Sequence, residues 1–383
     1  MLKKIIIKNI NSINICDLDF KKGNYQYLEN NVLEDVVNPI AIYGHNGSGK
    51  TSFFNSIASL INLMVEPAES LTPFVVNNFL FEEYFKSIKN KSAKNSYIAG
   101  SIELFFSIKD DDYSYFIETT RHGYISNEYL KKGDEFVINR NRKEFLFYNK
   151  HFSCEDKYLV PALRQLASTE INDVLIQSCY SFISSFTFVN LPFINRGGFV
   201  TSKLFKNMNV YDLIVDHSDE VKNILKNYNE FPIYSIKKRE SIESNNNPQS
   251  QFSLVFDEKD FKGELPFEMV SAGMKSQSVL LSIISSMPEH GVLFVDELEQ
   301  GLHPSTIKSF LDVVKEKDVQ LIFSSHNTYI LQLLRPDQIY FAKWNKGFSN
   351  YARLSKIYQN IRAINNIEKM YLSSVFDDDI KNA

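Results

Sequence analysis

Cysteine is scarce in this chain: 383 residues hold only Cys16, Cys154 and Cys179, scattered and odd in number. That excludes a disulfide framework and a cysteine-based metal site, and it predicts a reducing, cytoplasmic setting. Long apolar runs are also missing. No stretch approaches the length of a membrane helix, so no membrane partner is expected. Lys8 and Asn9 interrupt the first apolar run too soon for a signal peptide. Charge is nearly balanced, at −4, and gives no global pull toward nucleic acid. Two local basic runs, Arg140-Asn141-Arg142-Lys143 and Lys237-Lys238-Arg239, read as solvated loops and leave a small nucleic-acid patch open. Sustained heptads are absent, which excludes a long coiled-coil arm. What is present is 44% hydrophobic and 23% charged residues, enough for a full core in one to three domains.

The most informative segment is Gly44-His45-Asn46-Gly47-Ser48-Gly49-Lys50-Thr51. A glycine, four free positions and Gly-Lys-Thr make a complete nucleotide-phosphate loop. Before it runs Pro39-Ile40-Ala41-Ile42-Tyr43, which reads as a buried strand; after it, residues 52–61 carry apolar side chains at helical spacing. In that context the loop N–H groups and the helix start point at negative charge. Lys50 is then expected at the β- and γ-phosphates, and the Thr51 hydroxyl on Mg²⁺.

Three further features follow. Gly291-Val292-Leu293-Phe294-Val295 is an apolar run ending in Asp296-Glu297, which suits Asp296 to hold Mg²⁺ and Glu297 to orient or deprotonate the attacking water. By itself such a run also fits a strand that ends in a solvated acidic turn. Gln320-Leu321-Ile322-Phe323 leads into Ser324-Ser325-His326-Asn327, and His326 would sense the γ-phosphate or simply lie on the surface. Val270-Ser271-Ala272-Gly273-Met274-Lys275 precedes an apolar helix; a Ser-x-Gly turn there binds an anion, and Ser271 is equally suited to cap its own helix.

In this order of motifs the chain resembles the ABC-type ATPase heads of the clan that includes the SMC, RecF and OLD proteins. The resemblance implies an α/β fold: an ABC-type P-loop ATPase head with a mixed central sheet, an antiparallel β lobe and a helical lobe. It implies ATP and Mg²⁺ as cofactors. It also implies a homodimer, or a higher oligomer, that sandwiches ATP so that Ser271 and Gly273, with Lys275 nearby, meet the γ-phosphate held by the partner's loop. Leu298-Glu299-Gln300-Gly301-Leu302-His303-Pro304 matches the D-loop, and His326 the switch histidine. The opening Ile5-Ile6-Ile7-Lys8-Asn9-Ile10-Asn11-Ser12-Ile13 looks like SMC/RecF-type heads. The stretch Leu334-Arg335-Pro336-Asp337-Gln338-Ile339-Tyr340-Phe341 is similar to ATPase subunits of bacterial anti-phage and abortive-infection systems of the PARIS or Septu type. That similarity implies a switch or sensor controlling a separate effector, a nuclease or toxin. A RecF-like DNA-repair ATPase and an ATP-dependent scaffold with little turnover are the alternatives. Asn11 stands where the family usually has Arg or Lys, and Gln165 is the one candidate for a Q-loop glutamine.

The pattern predicts one head over residues 1–383, with residues 1–20 and 38–63 building the nucleotide-binding sheet. Residues 96–149 read as the antiparallel β lobe, with a hairpin turning at Asp110-Asp111-Asp112. Residues 151–262 read as a mainly helical insertion, with helix over 157–188 and a polar loop over 243–251. Residues 265–345 hold the signature, the acidic strand and the switch histidine. The segment after His326 is too short for a Toprim domain, and Glu368, Asp377, Asp378 and Asp379 read as a helix end and a solvated acidic terminus.

Overall fold

Period-two apolar spacing gives this chain its strands, and the computed structural model joins fifteen of them in one sheet. The structure describes residues 1–66, 100–120, 124–154, 160–169, 171–191, 199–203, 233–242, 248–258, 261–266, 269–345, 347–358, 361 and 365–376, with positions 219, 221 and 223. β1 (Leu2–Ile10) and β2 (Ile13–Asp19) form the opening hairpin. After a small ribbon, β3 (Val32–Leu33) with β4 (Val36–Val37), β5 (Ile40–Tyr43) leads into α1 (Lys50–Val65). Six strands follow: β6 (Gly100–Ile108), β7 (Asp111–Thr119), β8 (Ile125–Lys132), β9 (Glu135–Asn141), β10 (Glu144–Phe147) and β11 (Lys150–Ser153). Then come α2 (Ala162–Ser168), α3 (Val174–Ser184), β12 (Thr187–Asn190) and β13 (Phe199–Thr201). β14 (Ile233–Ile242), β15 (Pro248–Glu258) and β16 (Phe261–Pro266) make a separate antiparallel sheet. The rest is α4 (Ala272–Ser286), β17 (Val292–Asp296), α5 (Pro304–Glu316), β18 (Gln320–Ser324), β19 (Ile339–Asn345), β20 (Phe348–Arg353) and two short helices, α6 (Leu354–Ile357) and α7 (Ile367–Leu372).

The large sheet is mixed. Its order is β11-β10-β9-β8-β7-β6-β1-β2-β20-β19-β5-β18-β17-β12-β13. The strands from β19 to β12 run parallel to one another, and those from β11 to β2 are antiparallel. Alternation sends neighbouring residues into two different cores. Ile42, Phe294 and Ile322 join α1, α2 and α3 on one face. Ala41, Tyr43, Leu293, Val295, Leu321 and Phe323 join α4 and α5 on the other. Both faces are covered, so the parallel strands are apolar throughout, as the sequence pattern requires. On α1, Phe53, Ile57, Leu60, Ile61 and Met64 are fully buried, each contributing about 2 kcal/mol relative to exposure.

Two expectations are refined by the strands. The β lobe is antiparallel, its first hairpin turns at Lys109-Asp110 with Asp111 and Asp112 already in β7, and β6 pairs directly with β1, so the lobe continues the central sheet. Residues 96–99 lie outside the described residues. Within the expected insertion over 151–262, the described residues form helix at α2, α3 and positions 219, 221 and 223, and β12 to β16 supply strands. Backbone pairing overrides the polar composition there, and β15 begins at Pro248 inside the expected polar loop, whose residues 243–247 lie outside the described set. Asp377, Asp378 and Asp379 also lie outside it, while Glu368 is in the first turn of α7 and accepts from the Thr328 hydroxyl at 2.7 Å.

Arg140 corrects a third expectation, because it is buried and not part of a surface run. β8 and β9 put it directly opposite Glu128. The guanidinium donates to Glu128 Oε2 at 3.3 Å and to the Val160 carbonyl at 2.7 Å. The same carboxylate accepts the Tyr115 hydroxyl at 2.9 Å and the N–H groups of Ala162 and Leu163 at 2.7 and 3.0 Å. Glu128 thus ties the start of α2 to the β lobe with all its oxygens in use. Glu128→Ala would remove the carboxylate that faces the buried Arg140 guanidinium, and is expected to destabilise the fold by about 3–5 kcal/mol in denaturant melts. A variant as stable as the parent would show that this cluster does not hold α2.

Candidate active site

β5 lies between β18 and β19 and runs parallel to both, with Ile40 opposite Ile322 and Ala41 opposite Ile339. The chain therefore leaves β5 at the carboxyl end of a parallel sheet, the usual place for a ligand crevice in such folds. Residues 44–49 turn the chain into α1. Gly49 is left-handed (φ 106°), and no side chain caps the helix, so its first-turn N–H groups stay open to an anion. A β-carbon on Gly49 would collide with the Ser349 hydroxyl. Ser12 lies 2.7 Å from that hydroxyl and donates to Ser52 Oγ at 2.9 Å, while the Tyr351 hydroxyl donates to the Gly49 carbonyl at 2.7 Å. Asn11 Nδ2 reaches the Ser52 carbonyl at 3.5 Å, so it braces the helix start where the family carries a cation.

Lys50 folds back over its own loop and donates to the Gly44 and His45 carbonyls at 2.8 and 3.1 Å. Burial pulls its ammonium below the ordinary lysine value, and the Asp296 carboxylate opposes that pull. Ser48 Oγ is buried with no hydrogen-bond partner, and His45 and Asn46 are exposed.

The two carboxylates are organised by one hydroxyl. Ser324, at the end of β18, donates to Asp296 Oδ1 at 2.5 Å and accepts the Glu297 N–H at 2.8 Å. The Thr51 side chain also hydrogen-bonds Asp296. Burial raises the Asp296 carboxyl above its usual range, and the bonds from Ser324 and Thr51 work against it. Glu297 is left-handed (φ 57°), and burial followed by the Asp296 charge raises it as well. The His326 side chain is held below the ordinary histidine value, first by burial and then by the Lys50 charge. Lys50, Asp296 and Glu297 thus lie within electrostatic reach of one another, and His326 within reach of Lys50 and Asp296.

The donor set fits a nucleotide and a hard dication. Open N–H groups, Lys50 and the unpaired Ser48 hydroxyl match phosphate oxygens. Among the described residues no cluster of three or more His, Cys, Asp or Glu is arranged to hold a metal. Thr51 with Asp296 instead offers the sparse oxygen set that Mg²⁺ takes when phosphates and water complete its shell.

The Ser-x-Gly segment is placed elsewhere. Ser271 Oγ accepts the Met274 N–H at 3.3 Å and caps α4, and Lys275 is half-buried on its first turn. A β-carbon on Gly273 would enter the Gly301 carbonyl, so this glycine allows the start of α4 to rest on the turn after Glu297. His303 and Pro304 at the end of that turn cap and open α5.

Sequence reasoning missed Ser324, Ser349, Tyr351 and Asn190. Asn190 ends β12 directly opposite Asp296, is buried, and has an Oδ1 with no partner. The signal was available: Thr187-Phe188-Val189 is an apolar run with a polar last residue, as at Asp296 and Ser324. Gln165 is not among these groups; its amide donates to the Ser153 carbonyl from α2.

Comparison with known proteins follows from this geometry. The family model described as "AAA domain, putative AbiEii toxin, Type IV TA system" matches residues 40–332. No curated protein matches the chain. Among solved structures, an SMC head bound to the C-winged helix domain of ScpA aligns with a TM-score of 0.51 at 15% identity, covering 93% of this chain and 99% of that one. The SMC head domain from Thermotoga maritima aligns with a TM-score of 0.47 at 15% identity, covering 92% and 98%. At these identities the likeness is one of fold. The chain has the α/β fold of an ABC-type P-loop head with a large mixed sheet, and it belongs to the AAA domain family that carries the AbiEii, Type IV TA system description.

Proposed function

We propose that this protein binds and hydrolyses ATP as a dimeric ABC-type ATPase, and that the cycle switches a separate effector protein in bacterial anti-phage defence, in the manner of PARIS or Septu ATPase subunits. One observation carries the ATPase reading: Lys50, Thr51, Asp296, Glu297 and His326 converge on the uncapped start of α1. The defence role rests on the sequence resemblance and on the toxin–antitoxin description of the family.

In the proposed reaction the loop N–H groups and Lys50 bind the β- and γ-phosphates of ATP. Mg²⁺, held by Thr51 and Asp296, would supply charge neutralisation between phosphate oxygens. Glu297 takes a proton from the attacking water; its raised proton affinity brings it nearer to the working range of a general base. His326, whose proton affinity is lowered by burial and Lys50, donates one ring N–H to a γ-phosphate oxygen. The other half of each site comes from a second copy. Met269 is 73% exposed beside the exposed Ser271 and Ala272, which supports a partner surface there. The helix start at Ser271 would then place positive potential where transition-state charge develops.

Lys50→Ala is expected to abolish ATP binding in calorimetry while the melting curve stays near that of the parent. Glu297→Gln is expected to keep ATP binding and lower hydrolysis about 10²- to 10⁴-fold. Unchanged affinity in the first variant, or unchanged turnover in the second, would remove the assignment. Catalysis in trans is checked by mixing Lys50→Ala with Ser271→Arg chains, which puts both lesions into one composite site and leaves the other intact. Partial recovery of hydrolysis is expected; a Ser271→Arg chain that is fully active alone would refute the dimeric site. Gly273 is the poorer probe, because any side chain there strikes the Gly301 carbonyl of the same chain.

A further inference from the structure

The turn from Glu297 to Leu302 is stitched to the end of β18 by three bonds in sequence. The Glu297 N–H reaches Ser324 Oγ at 2.8 Å, and the Leu298 N–H reaches the Ser324 carbonyl at 3.0 Å. The third bond is different in kind: Glu299 Oε1 accepts the backbone N–H of His326 at 2.6 Å. It is made by a charged side chain, and it fastens the very residue that would meet the γ-phosphate. The second oxygen, Oε2, is buried and has no partner. The Glu299 backbone carbonyl closes its own turn by accepting the Leu302 N–H at 3.0 Å, so the carboxylate stands on a fixed base. Next in that turn, Gly301 carries the start of α4.

A short hydrogen bond to a carboxylate is about twice as strong as one between neutral groups. Losing it frees the His326 backbone N–H, which has no other acceptor among the described residues. Ser325 is fixed independently, through the Ile42 carbonyl at 3.4 Å, and Asn327 through Ser325 Oγ at 3.0 Å. His326 is therefore the residue in this turn whose backbone depends on Glu299.

We propose that Glu299 is a positioning residue for hydrolysis: it holds His326 in place through the backbone N–H and ties the switch turn to the turn that supports α4. The proposal rests on the ATPase reading above, and its test separates the two. Purified full-length protein is compared with Glu299→Ala, Glu299→Gln and Lys50→Ala in steady-state ATP hydrolysis, and the His326 amide is followed by ¹⁵N-resolved NMR without nucleotide. Glu299→Ala is expected to lower kcat about tenfold to a hundredfold, with KM and ATP affinity unchanged, the size of loss that follows misplacement of a group near the reaction. Glu299→Gln, which keeps an acceptor oxygen, is expected to recover most of that loss. The His326 amide proton should lie far downfield in the parent, move upfield in Glu299→Ala and move only part of the way in Glu299→Gln. An unmoved resonance would overturn the contact. A moved resonance with parental kcat would overturn the positioning role, as would a Gln variant no better than Ala. Hydrolysis that persists in Lys50→Ala would overturn the ATPase reading instead, and the amide shift would still decide the contact.

Discussion

The open amino end of α1 is the constraint to which the rest of the site responds. A helix start without a capping side chain leaves several N–H groups and the positive end of the helix dipole facing one point. Four of the seven helices named above avoid that condition: Asp173 caps α3, Ser271 caps α4, His303 caps α5 and Asn366 caps α7. At α1 the place of the cap is taken by a glycine that the Ser349 hydroxyl leaves no room to replace. The positive end needs an anion, and the neighbouring strand ends supply Asp296 and Glu297. They lie close enough to shift Lys50 and be shifted by it, while Ser324 holds Asp296 by a hydrogen bond.

The parallel register explains why so few residues suffice. β12, β17, β18 and β5 are neighbours, so their carboxyl ends bring Asn190, Asp296, Ser324 and the phosphate loop to one edge without long loops. The turn after Glu297 then links that edge to the start of α4. Gly273 against Gly301 makes the link a backbone contact, and such contacts transmit displacement better than flexible side chains. A chain that lends its Ser271 segment to a partner would thus connect its own carboxylates to the partner's site through seven or so residues of one turn.

What was legible in the sequence was contiguous. The phosphate loop, the acidic strand end and the histidine strand end each sit in an unbroken run, because a strand buried on both faces must be apolar along its whole length. The hairpin of β6 and β7 was legible from alternation on either side of Asp110-Asp111-Asp112, although Asp111 and Asp112 belong to β7 and the turn sits at Lys109-Asp110. What was not legible depends on partners distant in sequence. Arg140 looks like surface charge until β8 sets Glu128 opposite it. Asn190 lies just beyond the expected helix over 157–188, and its place opposite Asp296 is set only when β17 pairs with β12. β14 and β15 carry Lys237-Lys238-Arg239 and Gln249-Ser250-Gln251, polar compositions that hide strands paired with one another. The roles of Ser12, Ser349 and Tyr351 around Gly49 join opposite ends of the chain, and no local pattern announces them.

Two groups of buried charge in this molecule are treated in opposite ways, and the contrast separates support from chemistry. Glu128 is surrounded by donors: Tyr115, Arg140 and two N–H groups leave it nothing further to bind. Such a carboxylate can only hold things together. Around the phosphate loop the accounts are left open. Ser48 Oγ, Asn190 Oδ1 and Glu299 Oε2 are each buried without a partner. An unpaired buried polar atom costs about 1–3 kcal/mol, and these three are among eight such side-chain atoms in the described residues. Their shared location makes sense if the missing partners arrive together. A nucleotide with its metal and ordered water brings both donors and acceptors to that edge, and the fold is held in readiness for them by groups that are themselves fully paired.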